Sequence, residues 1–137
     1  MSQPARPADV DDICGSLPQT WFGTSWGDVP TWLVRQKPGD TKGRGFVLYR
    51  KPHKTAIDPD TGEPYVDLLV IRTPGPDDNA ALVAEGPWFD IDHFRNNNAV
   101  LVQLSRLGEV GREELVEVIT DAWRSCAPKP LLREFDA

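Results

Sequence analysis

The period of the apolar positions changes several times along this chain, and each change predicts an element. Val10, Ile13, Cys14 and Leu17 recur at three and four residues, the spacing of one helix face. Asp9 is the candidate N-cap of that helix, and Gly15 with Pro18 ends it. Two short β segments follow, Gln19 to Thr24 and Thr31 to Arg35, separated by a turn through Ser25-Trp26-Gly27-Asp28-Val29-Pro30. A loop from Gln36 to Arg44 leads into a third strand, Gly45 to Arg50. After a long connection, Pro52 to Tyr65, the run Val66 to Arg72 is almost continuously apolar, as a central strand buried on both faces would be. Asp77 or Asp78 can cap a short helix over Asn79 to Glu85, with Ala81, Leu82 and Val83 available for the core.

The clearest pattern lies in the last third. Trp88 to Ile91 predicts a strand, Arg95 to Asn98 a turn, and Ala99 to Leu104 a further strand. Leu115, Val118, Ile119, Ala122, Trp123 and Cys126 then share one helical face, while Glu113, Glu114, Glu117, Asp121 and Arg124 point away from it, and Pro128 with Pro130 ends the helix. The predicted order is α-β-β-β-β-α-β-β-α with short strand-to-strand links. It implies an α+β two-layer sandwich, a mainly antiparallel sheet of about six strands with the helices on one side. There is no βαβ alternation, so no doubly wound nucleotide fold is expected. Residues Met1 to Pro7 read as a loose tail and residues 8–137 as one domain.

Composition changes this picture little. The 137 residues suffice for a core without a metal or disulfide. Cys14 and Cys126 lack CxxC spacing and no leader-like segment precedes them, which suits a reduced, cytoplasmic compartment; no apolar run approaches the roughly 18 residues needed to span a bilayer. Charge changes it more. The chain carries a net −6, yet from Arg35 to Lys54 there are Arg35, Lys37, Lys42, Arg44, Arg50, Lys51 and Lys54 against Asp40 alone, a local +6. If the strands flanking Gln36 to Arg44 pair as a hairpin, its tip and one rim become positive.

Catalytic chemistry finds no support. The serines and cysteines stand in no nucleophile motif, and no Gly-rich phosphate loop or metal-ligand spacing occurs, so neither a cofactor nor a metal is expected. Asp58-Pro59-Asp60-Thr61-Gly62-Glu63 lacks the ligand pattern of a calcium loop and is better read as a turn. Asp92 and His93 would point to opposite faces of a strand, which argues against an acid/base pair. Trp21, Trp26 and Trp32 are first of all core material, with Trp21, Trp26, Trp88 and His93, along with Tyr49, the candidates for a ligand or partner surface.

Several of these stretches together resemble the MmcQ/YjbR family of small bacterial proteins. They are Ser25-Trp26-Gly27 followed by Pro30 and Trp32, Lys42-Gly43-Arg44-Gly45-Phe46-Val47, Val66 to Ile71, Phe89 with His93-Phe94, Ala99-Val100-Leu101-Val102-Gln103-Leu104, and Asp121-Ala122-Trp123-Arg124 with Ala127-Pro128-Lys129. The likeness runs from about Asp12 to Phe135. It implies a CyaY-like or secretion-chaperone-like sandwich and DNA contact through β-hairpin wings. One wing is then the hairpin through Lys37, Lys42 and Arg44, whereas Asp90-Ile91-Asp92 and Arg95-Asn96-Asn97-Asn98 depart from the family's pattern at the second. The expectation is a non-catalytic protein that contacts the phosphate backbone of double-stranded DNA, weakly and without sequence preference, through Arg35, Lys37, Lys42, Arg44, Arg50, Lys51, His53 and Lys54. The alternative is an interaction or small-ligand module with no nucleic-acid role.

Overall fold

A computed structural model of the protein describes residues 3–25, 29–50, 61–63, 67–89 and 98–136. The elements follow in the order α1 (Pro7–Ser16), β1 (Thr20–Ser25), β2 (Val29–Val34), β3 (Arg44–Arg50), β4 (Leu68–Arg72), α2 (Pro76–Glu85), β5 (Ala99–Gln103), a 3-10 helix (Leu104–Glu109), α3 (Arg112–Cys126) and α4 (Lys129–Asp136). The strands form one sheet in the order β1-β2-β3-β4-β5, and every neighbouring pair is antiparallel. The α+β class expected from the alternation of periods is therefore the architecture.

The sheet is buried on both faces at its centre. On the helix side, Val34, Phe46, Val47, Leu69, Ile71, Val100 and Val102 pack with Val10 and Ile13 of α1 and with Leu115, Ile119 and Trp123 of α3. The other side gathers Leu48, Leu68, Val70, Ala99 and Leu101, with Val29 and Phe89 against them. That is why the β4 sequence runs apolar without alternation. The six α3 positions singled out by spacing are the six that are buried. Each large one removed from water is worth about 1.5–3 kcal/mol, which makes α3 the main support of the sheet.

A bulge sets the middle of the sheet. Trp32 faces Val47 and Leu33 faces Gly45, so Phe46 has no partner on β2. The extra residue lets Phe46 and Val47 both enter the helix-side core.

Several expectations need correction. Of the strand expected over Trp88 to Ile91, the described part makes a single antiparallel bridge, Phe89 to Leu101, and the described residues form a sheet of five strands; residues 90–97 lie outside the described set. Helix α1 starts at Pro7, and Asp9 is its third residue, accepting the Arg6 backbone N–H at 2.9 Å. Proline tolerates a first helical position, which moves the N-cap from Asp9 to Arg6, three residues earlier. In α2 the buried residue is Asn79, bonded to the buried Thr73 hydroxyl, while Ala81 and Val83 are exposed and only Leu82 packs on the core. Pro128 and Pro130 end α3 and also open α4, because a proline in a first turn costs no helical hydrogen bond.

Where the sequence suggests a loose start, residues 3–6 are docked. The Ala5 N–H bonds Val110 O at 2.8 Å, the Arg112 N–H bonds Gln3 O at 2.7 Å, and Ala5 is buried. Among the described residues no helix is long and apolar enough to cross a membrane.

Candidate functional site

The basic loop is a turn built on Asp40. Strands β2 and β3 pair with Val34 opposite Arg44, leaving residues 35–43 to make the connection. Lys37-Pro38-Gly39-Asp40 closes a β-turn: the Asp40 N–H donates to Lys37 O at 3.1 Å, and Gly39 takes φ 79°. Proline followed by a glycine of positive φ suits a type II turn, so this part was written in the residues. The Asp40 carboxylate then turns back and accepts the backbone N–H groups of Gln36 (3.0 Å), Lys42 (2.9 Å) and Gly43 (3.0 Å). Those bonds, that from Gln36 foremost and aided by the Lys37 charge, hold the Asp40 carboxyl below the usual carboxylate range.

The cations are left outward. Lys37, Lys42 and Arg44 are exposed, and none forms an ion pair or a side-chain hydrogen bond with another described residue. Arg35 is held: its guanidinium lies 5.2 Å from the centre of the Trp21 ring and donates to Asp40 O at 3.3 Å. The Gln36 amide donates to Val34 O (3.2 Å) and to Cys126 O (2.9 Å), which ties the loop to the end of α3. Arg72, absent from the expected cation set, joins this end of the sheet because β4 finishes beside the start of β3; its Nε donates to Gly45 O at 2.8 Å. No local signal in Val66 to Arg72 identifies it, since only strand pairing places it there.

The expected group of cations divides in two. Arg50 stands at the opposite end of β3, paired with Leu68, six residues from Arg44 and so about 20 Å away along the strand. Lys51, His53 and Lys54 lie outside the described residues, as do Trp26 and His93. Of the remaining surface candidates, Trp21 is half-buried beneath Arg35, and Trp88 is 2% exposed within the core, where it serves packing. Among the described residues no group of His, Cys, Asp or Glu could hold a metal ion. Free Cys14 and Cys126 are buried, and burial pushes the Cys14 thiol upward, away from nucleophilic use.

Asp40 makes this arrangement testable. Its contribution is present above the ordinary carboxylate value near 3.9 and is lost as pH falls through its lowered folded value, so the loop stays ordered across the usual carboxylate range. Asp40→Ala removes three acceptor contacts. The amides of Gln36, Lys42 and Gly43 are expected to exchange with solvent several-fold faster in hydrogen–deuterium exchange, while those of β4 and β5 are unchanged.

No family model matches the chain. It is 32% identical over 139 residues to the uncharacterized protein Rv2570 of Mycobacterium tuberculosis, with 93% of this chain and 92% of that protein covered. The uncharacterized protein Mb2600 of Mycobacterium bovis matches with the same identity and coverage. Among solved structures it is similar to the Deinococcus radiodurans protein DR2400, a DUF419-domain protein, with a TM-score of 0.57 and 18% identity over 90% of this chain and 80% of that one. At that identity the likeness concerns the fold.

Proposed function

We propose that this chain, which belongs to the same family as the mycobacterial proteins Rv2570 and Mb2600, is a non-catalytic, cytoplasmic DNA-binding protein that holds duplex DNA weakly by its phosphate backbone. The contact surface is the loop end of the β2–β3 hairpin, with Arg35, Lys37, Lys42 and Arg44 as its cations and Arg72 beside them. One observation carries the reading. The single acidic residue of the loop is engaged by three backbone N–H groups while Lys37, Lys42 and Arg44 stay exposed beside it, so the loop carries a net positive charge in a chain of net −6. Screening over about 8 Å at physiological salt separates this end from the acidic remainder. The resemblance to the MmcQ/YjbR proteins and their hairpin wings supports the same reading.

Four phosphate contacts give a slope of log affinity against log salt near −3.6, at about −0.9 for each contact. Fluorescence anisotropy of a random-sequence duplex between about 20 and 200 mM salt measures it. Lys42→Ala with Arg44→Ala is expected to reduce the slope by about 2 and to weaken binding equally for unrelated sequences. Absence of binding even at the lowest salt removes the DNA reading.

A second reading, small-ligand binding, is favoured by a groove of about 360 Å³ beside the loop, lined among others by Arg35, Lys37, Pro38, Pro128 and Leu131. Saturable binding of a small acid there, with no DNA affinity, would select it.

A further inference from the structure

The two edges of the sheet are treated differently. Beyond β5 the chain adds the Phe89–Leu101 bridge, with hydrogen bonds of 2.9 and 2.7 Å. Beyond β1 no described residue pairs. Edge strands are ordinarily protected by charge, proline, a bulge or shortness, since their free N–H and C=O groups accept any strand offered. β1 has none of these: it is six residues long, reads Thr-Trp-Phe-Gly-Thr-Ser, and pairs with β2 in unbroken register. It also carries Phe22, which at 51% is the most exposed of the large apolar side chains among the described residues. From these observations we infer that β1 is a self-association edge, at which a second copy of this chain adds its own β1 antiparallel and joins two sheets into one of ten strands.

The geometry selects the pairing. A two-fold axis perpendicular to the sheet keeps every residue on its own face, so directly opposed residues must both be even-numbered or both odd-numbered. With the axis at Phe22, the two Phe22 rings meet, Thr20 opposes Thr24, and Trp21 opposes Gly23. Phe22 lies on the helix side, 5.3 Å from the Trp32 ring and 6.2 Å from Tyr49, at a shallow surface shared with Pro7, Ala8 and Asp11 of α1. Its exposure shows that α1 does not overhang the edge at this point. Asp11, a carboxylate at the same surface, is engaged with the Trp32 N–H (2.9 Å) and the Tyr49 hydroxyl (2.8 Å).

Charge favours this strip for a second copy. Two chains of net −6 repel wherever their acidic faces meet, whereas β1 holds no charged residue and sets no like charges against one another. A single strand pair buries less than the roughly 1,200 Å² of a standard interface, so the association is weak, with a dissociation constant on the order of tens of micromolar. The inference does not depend on DNA binding.

Sedimentation velocity of the full chain from about 5 to 500 µM tests it. The expected result is a shift from monomer to dimer across that range, which Phe22→Lys abolishes. Thr24→Lys, at an exposed position, does the same, and thermal melts of both variants verify that the fold is kept. Under mild oxidation Phe22→Cys should cross-link to a second copy, because directly opposed residues lie about 4.5–5.5 Å apart. Thr20→Cys should not, since its mate lies about 13 Å along the strand. The native thiols are buried. A monomer throughout, a dimer that survives Phe22→Lys, or cross-linking at position 20 in place of 22 would each overturn the inference.

Discussion

Trp123→Ala is expected to lower stability by about 3–5 kcal/mol, the loss typical of truncating a fully buried large aromatic residue. In a chain of this size that corresponds to a fall in melting temperature on the order of 10–20 °C. Trp123 is fully buried on α3, at the centre of the helix-side core. Its indole N–H donates to Pro18 O at 3.0 Å, which fixes the link between α1 and β1. Its ring also meets Phe135 at 4.8 Å, and Arg124 stacks on Phe135 while pairing with Asp136 at 2.7 Å, so α4 is seated on the same residue. Trp123→Phe keeps most of the packing but leaves the Pro18 carbonyl without its donor, and is expected to cost less. Urea unfolding with thermal melts measures both variants. A loss below about 1 kcal/mol for Trp123→Ala would show that α3 repacks freely on the sheet.

Gly43→Ala is expected to cost about 2–5 kcal/mol, from two sources. Gly43 has φ 68°, a conformation that disfavours a side chain by about 1–2 kcal/mol. A Cβ there would also stand 2.3 Å from Cη2 of Trp21 and 3.0 Å from two further ring carbons. The indole can yield only by disturbing its stack with Arg35, and overpacking of this kind typically costs 1–3 kcal/mol. Gly39→Ala is the control: φ is 79°, but nothing lies within 4 Å of the added carbon, so only the backbone cost of about 1–2 kcal/mol applies. The difference between the two melts isolates the Trp21 contact. Equal losses would mean that the indole moves without cost, and that Arg35 is not positioned by it.

Different parts of the structure were legible for different reasons. The α3 face could be read because all six of its buried residues recur at three and four, and burial needs nothing beyond that spacing once a sheet exists. The same reasoning failed for α2. Ala81 and Val83 look available for a core, yet the helix is anchored through buried Asn79 and its Thr73 partner. A polar pair six residues apart leaves no mark in an apolar periodicity. Phe46 and Val47 break strict alternation, and only the pairing with β2 shows that a bulge turns both inward.

For the basic loop, the residues themselves determined a great deal. The sequence Lys37-Pro38-Gly39-Asp40 sets the turn, because proline and glycine restrict φ locally, and the excess of cations over Asp40 sets its sign. What the chain order could not decide is which cations share a surface. Arg44 and Arg50 are six residues apart in sequence, but a strand is extended, so pairing with β4 carries them to opposite ends of the sheet while bringing Arg72 in. Nor could it decide that the Asp40 carboxylate accepts three backbone N–H groups of its own loop, or that no described residue pairs beyond β1. Local geometry and sign follow from covalent structure and side-chain chemistry, whereas the neighbours of a charge and the partners of an edge are set by strand order.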